Sequence, residues 1–275
     1  MARAPGEPGN PPVLKRYGQH FLTDRKILTA IVDALDPGAS DTVVEIGPGR
    51  GSLTEILAAR TGRLVGIEID RALAAQLRKT FASKPNVQIV EGDVLETDIR
   101  SLVGKDFLLI GNVPYYITTP IVFKALEPPM PARSVFLVQS EVADRMGASE
   151  NTESYGALSI NIAVVARAER VLDVAASAFR PPPKVESAVV RIIPLARPLV
   201  PVETLEAFRT FVQAVFGLRR KQMLRVLRTV RGLSVAPAER MLADAVIETD
   251  ARPETISPER FAKLFSLVSG ATPPD

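Results

Sequence analysis

Thr42-Val-Val-Glu-Ile-Gly-Pro-Gly-Arg-Gly51 reads as a β-strand that stops at a glycine-proline turn and hands the chain to a helix. The β-branched run suits a buried strand, and Gly47, Gly49 and Gly51 allow a turn where a ligand can approach bare backbone. The same alternation continues outward from this stretch. Strands are expected at Thr42–Ile46, 63–69, Val87–Glu91, 107–111 and Arg133–Gln139, with helices at 51–60, 71–82, 119–126 and 141–146. Strand–helix alternation at this spacing predicts an α/β fold with an open parallel sheet covered on both faces. Two further β-rich segments, 169–174 and 185–193, are joined too closely for a crossover helix and should pair antiparallel at one sheet edge. Pro194, Pro198 and Pro201 then mark a linker. Beyond it the periodicity is helical, near 204–216, 219–230, 237–245 and 258–268, which predicts a second, small all-α domain.

Composition narrows the chemistry. The chain has 275 residues, 46% hydrophobic and 24% charged, as in a globular protein rather than a disordered one. The formal charge is +3 and the pI about 9.2, which mildly favours an acidic partner such as RNA. With no cysteine, disulfides, thiolate zinc sites, iron–sulfur clusters and cysteine nucleophiles are excluded. A reducing, cytoplasmic location is expected. Residues 1–14 are rich in Pro and Gly and read as a flexible tail, and no apolar run is long enough to span a bilayer.

In such a sheet ligands bind beyond the carboxyl ends of the strands. Gly47-Pro-Gly-Arg-Gly51 has the spacing G-x-G-x-G, not the G-x-G-x-x-G of pyrophosphate loops, and alone it equally fits a plain turn. Glu68, ending the second strand, is placed to accept two ribose hydroxyls. Asp93, just past the third, is placed to meet an adenine amine. Either acid alone is more often a cap or turn residue. Together they suit a ligand with a ribose, an adenine and no phosphate, such as S-adenosylmethionine; NAD stays open as the alternative.

Asn112-Val-Pro-Tyr-Tyr116 ends the fourth strand. An adenine amine is a poor nucleophile, because its lone pair is delocalised into the ring. The Asn112 side-chain oxygen and the Val113 carbonyl would accept its two hydrogens and favour a pyramidal nitrogen. Pro114 restricts Val113 to extended geometry and so aims that carbonyl. Tyr115 can stack on the base, with Tyr116 as pocket lining. The plain alternative is a strand end, a proline turn and one buried tyrosine.

With these motifs in view, the chain resembles the rRNA adenine N6,N6-dimethyltransferase family, and most closely its bacterial small-subunit (16S) type. The match runs through Gly18-Gln-His-Phe-Leu22, Val44-Glu-Ile-Gly-Pro-Gly-Arg-Gly51, Gly66-Ile-Glu-Ile-Asp70, Glu91-Gly-Asp93 and Asn112-Val-Pro-Tyr115. It continues through Phe136-Leu-Val-Gln-Ser-Glu-Val-Ala-Asp-Arg145, Tyr155-Gly156, Ala178-Phe-Arg-Pro-Pro-Pro-Lys-Val-Glu-Ser187 and Phe216-Gly-Leu-Arg-Arg-Lys221. The resemblance implies a Rossmann-like methyltransferase domain over 15–198 and a helical RNA-binding domain over 199–275. It implies methyl-donor contacts at His20, Leu22, Gly47, Gly49, Glu68, Asp93 and Asn112, and a base pocket whose second wall, opposite Tyr115, is Phe179; read from its residues alone, Phe179 fits ordinary core as well. Two positions depart from the family pattern: His20 stands where Asn is frequent, and Val113 where Leu is usual.

His20 is the only histidine, so a His-based metal cluster is not available, and it reads either as a packed residue or as a cofactor contact. Arg219, Arg220, Lys221, Arg225, Arg228 and Arg231 occur without an acid among them, with Lys221, Arg225 and Arg228 at helical spacing opposite an apolar stripe. The run fits either a solvated face or phosphate contact; the missing acids favour RNA. The expectation is a monomeric, metal-free enzyme that dimethylates two adjacent adenosines near the 3′ end of 16S rRNA in an immature small subunit. The other readings are the macrolide-resistance relative acting on large-subunit rRNA, a non-catalytic assembly factor, and a DNA N6-adenine methyltransferase.

Overall fold

The structure is a computed structural model that describes residues 20–270, so the expected tail at 1–14 lies outside the described residues. The chain opens with β1 (Phe21–Leu22) and α1 (Arg25–Leu35), then runs β2 (Thr42–Ile46), α2 (Ser52–Ala58), β3 (Arg63–Glu68), α3 (Arg71–Thr80) and β4 (Val87–Glu91). It continues α4 (Ile99–Val103), β5 (Leu108–Asn112), α5 (Thr118–Ala125), β6 (Arg133–Gln139), α6 (Ser140–Met146) and α7 (Ala157–Ala163). The last strands are β7 (Ala166–Val174), β8 (Phe179–Arg180) and β9 (Ser187–Pro194). The last helices are α8 (Leu205–Phe216), α9 (Met223–Arg231), α10 (Val235–Asp244) and α11 (Pro258–Ser269).

Seven strands form one sheet in the order β4-β3-β2-β5-β6-β9-β7. Strands β2 to β6 pair in parallel, and β9 runs antiparallel to β6 with β7 beyond it at the edge. The chain leaves β2 toward β4, then returns to place β5 on the other side of β2. That reversal opens a crevice between the carboxyl ends of β2 and β5. β1 and β8 make a separate two-stranded pair, with Leu22 opposite Phe179.

Helix α1, absent from the sequence expectations, forms because Leu28, Ile31, Val32 and Leu35 fall on one face and Asp24 caps its first turn, accepting from the Lys26 and Ile27 amides. It packs on α2 and against β5 and β6. Each fully buried aliphatic side chain there contributes about 1.5–3 kcal/mol.

By packing, the described chain divides into two compact units. One holds residues to Ala143 together with Glu169–Ile193; the other holds Asp144–Ala168 and the chain from Pro194 onward. A single boundary at 199 therefore does not describe the packing. Segment 144–168 joins the helical unit because α7 buries Leu158, Ile160 and Ile162 against α8 and α11. The buried Tyr155 hydroxyl also donates to the Ile256 carbonyl at 2.7 Å.

Candidate active site

The glycine turn after β2 is held in left-handed backbone at Gly47, Gly49 and Gly51, with φ of 63°, 61° and 84°. A Cβ at Gly49 would lie 3.0 Å from the Phe21 ring, so the turn and β1 fit together only without a side chain there. The amides of these glycines are already engaged. Gly47 donates to the Ile67 carbonyl, Gly51 to the Pro48 carbonyl, and Gly49 to Glu68 Oε2, each at 2.9 Å. A pyrophosphate needs such donors facing outward. The three glycines have spent theirs, which weighs against the NAD alternative.

Glu68 ends β3 at 4% exposure. Its Oε1 accepts from the Asp70 amide at 2.9 Å while Oε2 takes Gly49. Burial raises its pKa, and the two amides oppose that shift. Glu45, in the middle of β2, is 2% exposed, and its Oε2 has no hydrogen-bond partner. Burial pushes its pKa up to about 8, with the Thr54 hydroxyl pulling it down and the Glu68 charge adding to the rise. Asp93 follows β4; its Oδ1 accepts from the Leu95 amide at 2.9 Å, so it is a turn residue as well as a pocket residue.

His20, Leu22, Gly47, Gly49, Glu68, Asp93, Asn112, Val113, Pro114 and Tyr115 all line one open cavity, as do Glu45 and Arg50. The Arg50 guanidinium packs over the Phe21 ring at 4.5 Å from its centre. A cavity with three carboxyl groups and committed loop amides fits a cationic, phosphate-free nucleoside such as S-adenosylmethionine.

Sheet pairing of β5 ends at Asn112, opposite Leu137, so the Val113 carbonyl lies beyond the ladder. Asn112 Nδ2 donates to the His20 carbonyl at 3.1 Å. A carbonyl can only accept, so the amide orientation is fixed with Oδ1 as its free acceptor end. The Tyr115 and Ser187 hydroxyls are hydrogen-bonded at 2.6 Å, which anchors the tyrosine ring from its far end. Tyr116 is 61% exposed at the cavity mouth.

Phe179 is not itself exposed to the cavity. It is fully buried in the core with Leu22, Leu28 and Ile31, which do line it. Its place in β8 explains this. Phe179 pairs with Leu22, and that pairing holds segment 20–22 beside the glycine turn. The ring expected as the second wall of the base pocket is thus packed behind the cavity lining rather than in it. Three contributors were missed as individuals, although their motifs were quoted: Phe21, Glu45 and Ser187.

In the helical unit, Arg219, Arg220 and Lys221 precede α9 rather than forming its first turn, so the expected continuous stripe from Lys221 is broken. Arg219 is tied down, with its guanidinium 3.8 Å from Glu254 and a hydrogen bond to the Glu153 carbonyl. Arg225 and Arg228 are exposed on α9, opposite the buried Met223, Val226 and Leu227.

The profile of the family described as ribosomal RNA adenine dimethylase matches residues 13–269. The ribosomal RNA small subunit methyltransferase A of Geobacter metallireducens is 40% identical over 256 residues, covering 91% of this chain and 93% of its own. The protein of the same name from Alkaliphilus oremlandii is 40% identical, covering 91% and 90%. Among solved structures, the 23S rRNA methyltransferase ErmE superposes with a TM-score of 0.69 at 30% identity, covering 90% of this chain and 99% of its own. A dimethyladenosine transferase from Plasmodium falciparum shares the fold at a TM-score of 0.75 and 24% identity, covering 93% and 99%. Motif order, cavity chemistry and these matches agree: the chain belongs to the ribosomal RNA adenine dimethylase family and is an S-adenosylmethionine-dependent rRNA methyltransferase.

Proposed function

We propose that the protein transfers two methyl groups to N6 of each of two adjacent adenosines in a hairpin loop near the 3′ end of 16S rRNA, acting as a monomer on an immature small ribosomal subunit. The observation that carries the chemistry is the Asn112 amide, whose Nδ2 is committed to the His20 carbonyl so that Oδ1 remains to accept. Oδ1 and the Val113 carbonyl take the two amine hydrogens, and the nitrogen lone pair turns out of conjugation. Tyr115, anchored by Ser187, supplies a stacking face. Bound S-adenosylmethionine supplies an electrophilic methyl group. The charged amine formed on the base is acidic enough to lose its proton to water, so no general base is required. Catalysis is then positioning plus acceptors that strengthen as the nitrogen pyramidalises.

The choice of small-subunit RNA is supported by the 40% identity to proteins named for that subunit, against 30% to the 23S enzyme ErmE. The test is to offer labelled methyl donor with separated small and large ribosomal subunits lacking the modification, then map the label. Two dimethylated neighbouring adenosines in 16S rRNA are expected. Label confined to the large subunit would instead support the ErmE-like reading.

A further inference from the structure

Of the three carboxyl groups lining the cavity, Glu45 is the most enclosed and the least provided for. Glu68 accepts from two backbone amides and Asp93 from one. Glu45 is 2% exposed, and its Oε2 is buried without a hydrogen-bond partner. An ionised carboxylate in that position has lost its water and gained no donor. The enclosed group therefore rests neutral, holding a proton. We propose that Glu45 exchanges this proton for the charge of the methyl donor, releasing it as S-adenosylmethionine binds and regaining one when the sulfonium is consumed. The cavity then distinguishes the cationic donor from its neutral product. This rests on the S-adenosylmethionine reading of the site.

On binding, a neutral carboxyl and a ligand of net positive charge become a carboxylate, a bound cation and a proton in solution. Methyl transfer turns the sulfonium into a neutral thioether and leaves the methyl group on the base. The buried carboxylate then faces no net ligand charge and takes a proton from solvent. S-adenosylhomocysteine is left beside a neutral carboxyl, without the attraction that held the donor.

Few groups face Glu45. Its register partners, Gly66 on β3 and Ile110 on β5, bring neither charge nor a polar side chain. From α2, the Thr54 hydroxyl favours the charged form, although neither its oxygen nor Glu45 Oε2 completes a hydrogen bond. Glu68, from the end of β3, disfavours it. The other titratable or charged groups of the lining are Asp93, Arg50, His20, Tyr115 and Tyr116, with Arg50 packed over the Phe21 ring. Burial dominates this set and raises the Glu45 pKa to about 8, so a cation brought beside it moves its titration through neutral pH.

Proton release is read by calorimetric titration in two buffers of different ionisation enthalpy, with S-adenosylmethionine and S-adenosylhomocysteine as separate ligands. Glu45→Gln, fixed in the neutral form, is the reference; subtracting it cancels protons moved by the ligands' own amines and by other groups of the site. At about pH 7 the wild type should release close to one proton more than Glu45→Gln with the donor, and none more with the product. The carboxyl must lose its proton for the donor to bind, so donor affinity rises with pH while the free group is protonated. It should tighten about tenfold per pH unit between about pH 6 and 7.5 and level off above about 8, a slope absent from Glu45→Gln and from product binding. Equal proton counts in wild type and variant overturn the proposal, as does a slope that survives the substitution. Equal release with donor and product also overturns it, because Glu45 would then answer to an occupied pocket rather than to ligand charge. Should Glu45→Gln not fold, the wild type decides alone: the donor must release close to one proton more than the product at about pH 7. A wild type that binds neither ligand refutes the cofactor reading and the proposal together; binding of both without the proton difference refutes the proposal only.

Discussion

The polar groups of the strand-end site are held from several sides, whereas four neighbouring cations of the helical unit stand exposed. Glu68 spends both carboxylate oxygens on backbone amides, Asn112 its amide nitrogen on a carbonyl, and Tyr115 its hydroxyl on Ser187. Arg220, Lys221, Arg225 and Arg228 stand exposed and form no ion pair among the described residues. Methyl transfer rewards groups already fixed at the place where charge develops, because no reorganisation is then needed during the reaction. Attraction to an RNA backbone is long-ranged and tolerant of position, so flexible cations suffice. The two units thus differ in how firmly their polar groups are held, and the difference can be attacked at specific residues.

The largest effect is expected where fixing matters most. Asn112→Ala should keep the fold and RNA affinity yet lose about 3–4 kcal/mol of transition-state stabilisation, a hundred- to a thousandfold in rate at saturating donor. Single-turnover rates read it directly, and a near-normal rate would reduce Asn112 to a turn residue. The acceptors themselves do not titrate, so a change of the wild-type rate between about pH 6.5 and 8.5 would report Glu45, the cavity carboxyl raised to about 8, and should vanish in Glu45→Gln.

Glu45 gives the next largest effect and probes the cost of fixing. Its pKa rises from 4.5 to about 8 on folding, so the folded state holds the proton more tightly. The resulting stability is fully present below about pH 4.5 and is lost as the pH climbs through about 8. Relative to Glu45→Gln, the wild type should lose about 3 kcal/mol between about pH 5 and pH 7 in denaturant unfolding. Parallel pH profiles for the two proteins would mean that water or a cation already pays for the buried charge.

Glu68→Ala should weaken S-adenosylmethionine binding by about 1.5–3 kcal/mol, the range for hydrogen bonds to a charged acceptor. NAD should not bind the wild type. Tight NAD binding in calorimetry would show that the turn amides can be recruited to phosphate after all. The smallest effect belongs to the unfixed cations. Replacing Lys221, Arg225 and Arg228 with Gln should cost about 1–2 kcal/mol of subunit affinity and lower the salt slope by about two, leaving cofactor affinity intact. A wild-type salt slope would make this surface merely solvated.

The sheet was legible because its strands are short β-branched runs bounded by turn residues. Thr42–Ile46, Val87–Glu91 and Arg133–Gln139 fall where the pattern placed them. The acids and Asn112 were legible because a parallel sheet sends its strand ends to one side. What escaped was set by pairing far along the chain. The two-residue strands β1 and β8 carry too little pattern to announce themselves, yet their register decides that Phe179 is core and leaves His20 against Tyr115. The boundary near 144–168 escaped for the same reason, since Tyr155 finds its partner at Ile256.

The committed amides of the glycine turn have one more consequence. The substrate is a polyanion, and every nucleotide of it presents a phosphate before it presents a base. A pocket with vacant amide donors would trap the backbone, or any of the nucleotides abundant in a cell. Here the Gly47, Gly49 and Gly51 donors are turned inward, and the cavity beyond them holds three carboxyl groups against the one cation of Arg50. Free adenosine should therefore compete at the pocket where its 5′-phosphate does not. A turn whose glycine amides are spent in this way favours the uncharged part of an RNA over its charged thread.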